Sequence, residues 1–177
     1  MYMRYDSIND LLVTYEETAP EELSDVEYFI FMFLYEVYEE TPYQYIPDAA
    51  FMFIELDGWQ GMSFRCGVWQ YYENGSFEKG KLERVADYLR TDGEKKWADI
   101  FSSGIHDYAD EKYQIETETD TFPYPEEWLN DSNIIDDWID ENEIYISEWK
   151  RRLILSHKDE ILKLAEDNKG ELNYDNF

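Results

Sequence analysis

The chain has 177 residues, with 42 Asp and Glu against 15 Lys and Arg, giving a formal net charge of -27. Disorder is the ordinary outcome of so acidic a composition, but 44% hydrophobic and 18% aromatic residues supply enough apolar surface for a core. Direct binding to nucleic acid or to an anionic membrane is excluded in turn, because both repel a strongly anionic chain.

A first short helix is expected through Ile8, Leu11, Leu12 and Tyr15, capped by Asp6 or Ser7 and ending near Ala19 and Pro20. Ser24 and Glu27 then have capping-box spacing at the start of a second helix. Val26, Phe29, Ile30, Phe33, Leu34 and Val37 line one side of that helix, and Tyr28, Phe31, Met32, Tyr35 and Tyr38 the other. So little of it is polar that it should be central or covered by a second subunit. The apolar run from Pro47 to Leu56 fits a buried strand or a buried helix; helix is preferred, since no strand with clear alternation lies nearby to pair with it.

A further helix is expected from Gly58 to Asn74, with Phe64, Val68, Tyr71 and Tyr72 on one face and Asn74-Gly75 as its stop signal. Leu82, Val85, Ala86 and Leu89 mark the next, Asp92-Gly93 punctuates, and Trp97, Ile100 and Phe101 mark another. The stretch from Asp107 to Pro125 reads as a long loop, stiffened by Phe122, Pro123, Tyr124 and Pro125. Ser132 is expected to cap a long C-terminal helix with the stripe Ile135, Trp138, Ile139, Ile146, Trp149 and Leu153, which can break near Ser156-His157 before Ile161 and Ala165. The fold class is therefore all-α: a single-domain multi-helix bundle with a long C-terminal helix, spanning residues 1–170, followed by a frayed tail over 171–177.

The charge is unevenly distributed. Before Arg65 the only basic residue is Arg4, and between Asp107 and Glu148 the only one is Lys112. Two acidic blocks thus flank a nearly neutral middle. A rigid acidic surface of this kind points to a strongly basic protein partner, and nucleic-acid-binding proteins are the commonest basic surfaces. Its expected contacts are Asp136, Asp137, Asp140, Glu141 and Glu143. A cytoplasmic location is expected: Met1 to Asp6 lacks signal-peptide features, the run from Tyr28 to Tyr35 is too short to span a bilayer, and Cys66 has no second cysteine to bond.

Catalytic and metal motifs are nearly absent. His106 and His157 lie far apart and outside any metal-binding spacing, which makes each a solvated or helix-end residue. Cys66 beside Gly67 reads as buried, inert packing. Glu116, Glu118 and Asp120 lack the ligand order of a calcium loop. No nucleophile elbow, phosphate loop or dinucleotide fingerprint occurs. Chance carboxylate pairs are guaranteed at this density and carry no weight. No catalysis, no metal and no cofactor are expected.

From Glu55 to Phe101 the sequence runs through an acidic-apolar lead-in of Glu55, Leu56 and Asp57, and then the aromatic stretch Gly67, Val68, Trp69, Gln70, Tyr71, Tyr72, Glu73, Asn74 and Gly75. An amphipathic helix from Leu82 to Leu89 and a helix start at Asp92-Gly93-Glu94 follow. This order resembles the DMP19-like family of small acidic bacterial proteins, named for DNA mimic protein 19, with Arg65, Cys66, Gly67 and Val68 where the family usually has Asn-Gly-Gly-Phe. The resemblance covers roughly the middle third of the chain, plus a similar acidic C-terminal helix. It implies a non-catalytic helical protein, often a homodimer, whose carboxylates imitate duplex phosphates and so inhibit a DNA-binding partner. It also implies a structural role for Gly67, Trp69, Gln70, Tyr71, Tyr72, Asn74 and Gly75. The alternative is an immunity protein that neutralises a co-encoded basic toxin.

Overall fold

The computed structural model describes residues 5–113 and 124–168, and all regular structure among them is helical, as the periodicity requires. The helices are α1 (Ile8–Glu17), α2 (Leu23–Tyr38), α3 (Asp48–Cys66), α4 (Trp69–Ser76), α5 (Lys81–Thr91), α6 (Lys95–Ser103), α7 (Glu126–Glu141), α8 (Glu143–Ser156) and α9 (Lys158–Asp167). Single 3-10 turns lie at Pro20–Glu22, Tyr43–Tyr45 and Glu111–Tyr113. Two compact units emerge. One joins the described residues of Met1–Asp57 and Glu143–Phe177, and the other is Gly58–Asn142. The expected acidic loop centre at Glu116, Glu118 and Asp120 and the expected frayed tail lie outside the described residues.

In the first unit, α1 begins as expected: the Ser7 hydroxyl accepts from the Asp10 N–H at 3.1 Å. The capping box at Ser24 and Glu27 does not form. α2 starts earlier, at Leu23, and Glu27 is buried in its interior instead of folding back onto the helix start. There its carboxylate accepts from the Tyr15 hydroxyl (2.9 Å) and the Ser147 hydroxyl (3.1 Å), and pairs with the Lys150 ammonium at 2.8 Å. Lys150 also reaches Asp57 at 3.0 Å and lies 5.4 Å from the Phe53 ring centre. Both members of the Glu27–Lys150 pair are almost wholly out of water. Burial alone would lower the lysine pKa; attraction from Glu27 and Asp57 outweighs it and holds the ammonium above its usual range. Around this knot pack Ile8, Leu11, Leu12, Val26, Ile30, Leu34, Phe53, Ile154 and Ile161.

In the second unit, the helix expected to start at Gly58 is the continuation of α3, and the break falls at Gly67, with φ 95. A glycine inside a helix costs up to about 1 kcal/mol, yet α3 runs through Gly58 because Trp59 and Gln60 beside it are buried. Asn74-Gly75 does not stop a helix either. It lies inside α4, and the left-handed residue of that turn is Gly80, with φ 88. The core is aromatic: Trp59 sits 6.3 Å from Trp97, 6.2 Å from Trp138 and 5.5 Å from Phe101. Tyr72 ties this cluster together, its hydroxyl accepting from Trp59 Nε1 at 2.9 Å and donating to the Phe101 carbonyl at 2.8 Å.

The C-terminal helix breaks at His157 as expected, and also at Asn142, so that three helices stand in its place. Of the two arrangements its composition suggests, α2 does not take the central one. Its inner face is buried, while Tyr28 and Tyr35 are each 45% exposed.

Two outcomes test this packing. A Cβ added at Gly104 would lie 2.3 Å from the Tyr72 ring and 2.8 Å from Ile135, whereas one at Gly75 meets only the flexible end of Leu82 at 2.7 Å. Thermal denaturation should therefore show Gly104→Ala destabilised by about 1–3 kcal/mol or more, with Gly75→Ala losing less. Lys150→Met should cost about 3–5 kcal/mol by urea unfolding at pH 7, because it strands buried Glu27, and Glu27→Gln/Lys150→Met should recover part of the loss. The wild-type advantage over Lys150→Met should shrink as pH rises from the ordinary lysine range through the elevated lysine pKa.

Candidate interaction surface

α7 carries the densest run of acid in the second unit. Glu126, Glu127, Asp131, Asp136, Asp137, Asp140 and Glu141 fall within its 16 residues, which include no Lys or Arg. Its inner side is fixed by buried Ser132, Ile135 and Ile139. Its outer side exposes two rows at helical spacing: Glu127, Asn130, Ile134, Asp137 and Glu141 in one, and Glu126, Asn133 and Asp140 in the other. Glu126 and Glu127 suit the positive N-terminal end of the helix dipole. Asp140 and Glu141 oppose the negative end, and Asp137 and Glu141 form a like-charge i,i+4 pair costing about 0.2–0.5 kcal/mol. This face is built against its own stability.

Of the carboxylates expected to face a partner, Asp137, Asp140 and Glu141 do lie together on this exposed side. Glu143 is exposed in the first turn of α8 and belongs to the other unit. Asp136 departs from the expectation. Its side chain turns inward, where Oδ1 accepts from the Ser63 hydroxyl at 2.6 Å and from the Val68 N–H at 3.0 Å. Burial pushes its pKa upward, more than those two donors lower it. Ser132 is likewise not the start of a helix: it lies mid-helix, buried, and its hydroxyl accepts from the Trp69 N–H at 3.2 Å. Two side chains of α7 thus take the first free N–H groups of α4, which has no capping side chain of its own. Glu126 and Glu127 lie ahead of Ser132, where the helix is expected to start, and so fall outside the expected contacts. Pro125 followed by two acids was the available signal for the true start.

The remaining residues of the aromatic stretch are structural or peripheral. A Cβ at Gly67 would press on the Trp69 ring at 3.0 Å, in addition to the strain of its left-handed backbone. Trp69 packs edge-on to Tyr124 at 6.1 Å. Gln70 accepts from the Cys66 thiol at 3.0 Å, Tyr71 and Tyr72 are buried, Asn74 is exposed, and Gly75 lets Leu82 approach.

Cys66 is exposed, contrary to its reading as buried packing. His106 is not a solvated residue: it stacks on Trp128 with ring centres 4.7 Å apart and planes 3° apart, and its Nε2 lies 3.1 Å from Asp131. Burial lowers its pKa against the pull of Asp131. His157 does sit at a helix end, immediately before α9, with Nδ1 2.9 Å from the Leu153 carbonyl. Among the described residues, no group of three His, Cys, Asp or Glu is placed to hold a metal ion, and no helix is long and apolar enough to cross a membrane.

No protein-family model matches this sequence, and neither a curated protein nor a solved structure matches it.

The Asp136 geometry separates two substitutions. Asn at this position keeps an acceptor for Ser63 and Val68, whereas Asp136→Ala removes it and should cost about 1–3 kcal/mol in urea unfolding. With its pKa raised by folding, Asp136 holds its proton longer in the native state than in the unfolded one. Its contribution therefore makes wild type lose stability as pH rises from the ordinary carboxylate range to the raised value, and Asp136→Asn should flatten that slope.

Proposed function

We propose that this is a non-catalytic acidic binding protein that occupies the basic, DNA-binding surface of a partner protein in place of a duplex. The observation that carries this reading is the outer face of α7, where Glu126, Glu127, Asp137, Asp140 and Glu141 stand exposed on one helix without a Lys or Arg. Sixteen helical residues span about 24 Å, so five carboxylates give about one charge per 5 Å. One strand of duplex DNA presents about one per 3.4 Å. The helix therefore offers a cationic groove charge of the same order as a single strand, without matching phosphates one for one.

Rigidity supports the same reading. Ser132 and Asp136 bind backbone N–H groups of α4, and Ile135 and Ile139 anchor the inner side, so the charges need little ordering when a partner arrives. The self-repulsion on this face lowers stability and is relieved by a cationic partner. The resemblance of the aromatic stretch to the DMP19-like family points in the same direction.

The test starts from immobilised full chain, which should retain a basic protein at low salt and release it as salt rises. Duplex DNA should then compete with the chain for the purified partner; a complex holding DNA and this protein together would overturn the proposal. Exposed ion pairs are worth about 0.2–1 kcal/mol each. Neutralising four of them in Glu127→Gln/Asp137→Asn/Asp140→Asn/Glu141→Gln should therefore weaken binding by about tenfold or more, measured by calorimetry, with the helical circular dichroism unchanged.

A further inference from the structure

α7 carries no Lys or Arg of its own, but the segment after α6 sets a titratable base against it. The His106 ring lies flat on Trp128, in the first turn of α7, with centres 4.7 Å and planes 3° apart. Trp128 is in turn held edge-on by Tyr108 at 5.0 Å and Tyr113 at 5.1 Å, and stacked by Tyr124 at 5.7 Å. Three tyrosines thus fix Trp128, and Trp128 fixes the imidazole.

His106 Nε2 is closed off from water, and Asp131 Oδ2 stands 3.1 Å from it. Two acceptors facing each other repel, so Nε2 carries the hydrogen of the neutral ring and Nδ1 is the atom that takes up a second proton. Among the described residues, the charged groups acting on the ring are Asp131 and, more weakly, Glu127, both from α7. From its own segment the ring meets Tyr108 edge-on at 5.8 Å, whose hydroxyl burial keeps neutral. Burial also keeps His106 uncharged to lower pH than an ordinary histidine, against the pull of the two acids.

Two cations can therefore claim the same carboxylates. The Asp131 side chain is 39% exposed while that of His106 is 18% exposed, so a cation in solvent reaches Asp131 from outside and an imidazolium reaches it from behind. Glu127 is exposed in the outer row of the helix and is shared in the same way. A neutral ring leaves both acids unpaired at this end of α7, whereas a charged ring cancels one of them and repels an arriving cation.

We infer that His106 makes docking on α7 proton-linked: the neutral imidazole leaves Asp131 and Glu127 to a cationic partner, and the imidazolium withdraws them. The inference rests on the function proposed above and adds its regulation. Coupling between two ligands is reciprocal, so a partner that binds less well to the charged ring must itself lower the affinity of that ring for its proton. A histidine that served packing alone would show no such coupling.

The experiment follows the ring resonances of His106 by NMR in the full chain as pH is varied, with and without saturating nona-lysine at fixed ionic strength. The ammonium groups of the probe keep their charge throughout the histidine range, and His157→Gln identifies which of the two histidine signals belongs to His106. With probe bound, the His106 midpoint should fall by about 0.3–0.7 on the pH scale. Fluorescence anisotropy of labelled probe should correspondingly show binding about two- to fivefold weaker below that midpoint than above it. His106→Phe, which keeps a flat ring against Trp128, should lose most of this difference. A midpoint that stays put or rises while the amide signals of α7 move on adding probe overturns the inference and leaves the α7 reading intact. A pH dependence that His106→Phe retains in full does the same. A probe that leaves the α7 signals unmoved overturns both.

Discussion

The structure depends on keeping like charge apart while still closing an aromatic core. With 42 carboxylates on 177 residues, almost every acid has to remain in water, because an ionised carboxylate buried without a partner is prohibitively costly. Two acids that turn inside are met by specific donors. Glu27 has a lysine and two hydroxyls, and Asp136 has a serine hydroxyl and a backbone N–H. These contacts are selective more than they are strong. A buried ion pair contributes little net stability against an apolar replacement, but losing one member is severe, so Lys150 permits only packings that bring Glu27 and Asp57 to it.

The same constraint explains how α7 can be strongly acidic and still well placed. Its inner side has two jobs, apolar packing through Ile135 and Ile139 and backbone capping through Ser132 and Asp136. With the helix held from behind, its outer side tolerates repulsion that would fray an isolated helix, since helices in proteins draw most of their stability from tertiary packing. The charge that weakens the fold is concentrated on the side of the helix that no packing depends on.

The exposed sides of α2 and α7 differ in chemistry. α7 presents carboxylates with one exposed isoleucine among them, and α2 presents tyrosine rings with carboxylates at their edges. Charge alone attracts at long range and discriminates poorly, whereas ring stacking acts at contact and distinguishes guanidinium from ammonium.

The helical class, the positions of α1, α5 and α6, and the grouping of Asp137, Asp140 and Glu141 were legible in the sequence, because apolar periodicity and local capping are short-range properties. Ser7 capping α1 is such a case, with donor and acceptor three residues apart. Ser24 with Glu27, and Ser132 before its apolar stripe, carried the same local signals and meant something else. Glu27 was claimed by Lys150 and Ser147, more than a hundred residues away, and Ser132 and Asp136 by the start of α4. Gly58 could not break α3 once Trp59 was buried, and Asn74-Gly75 could not end α4 ahead of Leu82 packing onto it. Sequence by itself determined how many charges there are and that helices carry most of them. Only tertiary structure decided which carboxylates face water, because a short polar side chain is satisfied equally well by its own helix end or by a distant N–H, and packing chooses between them.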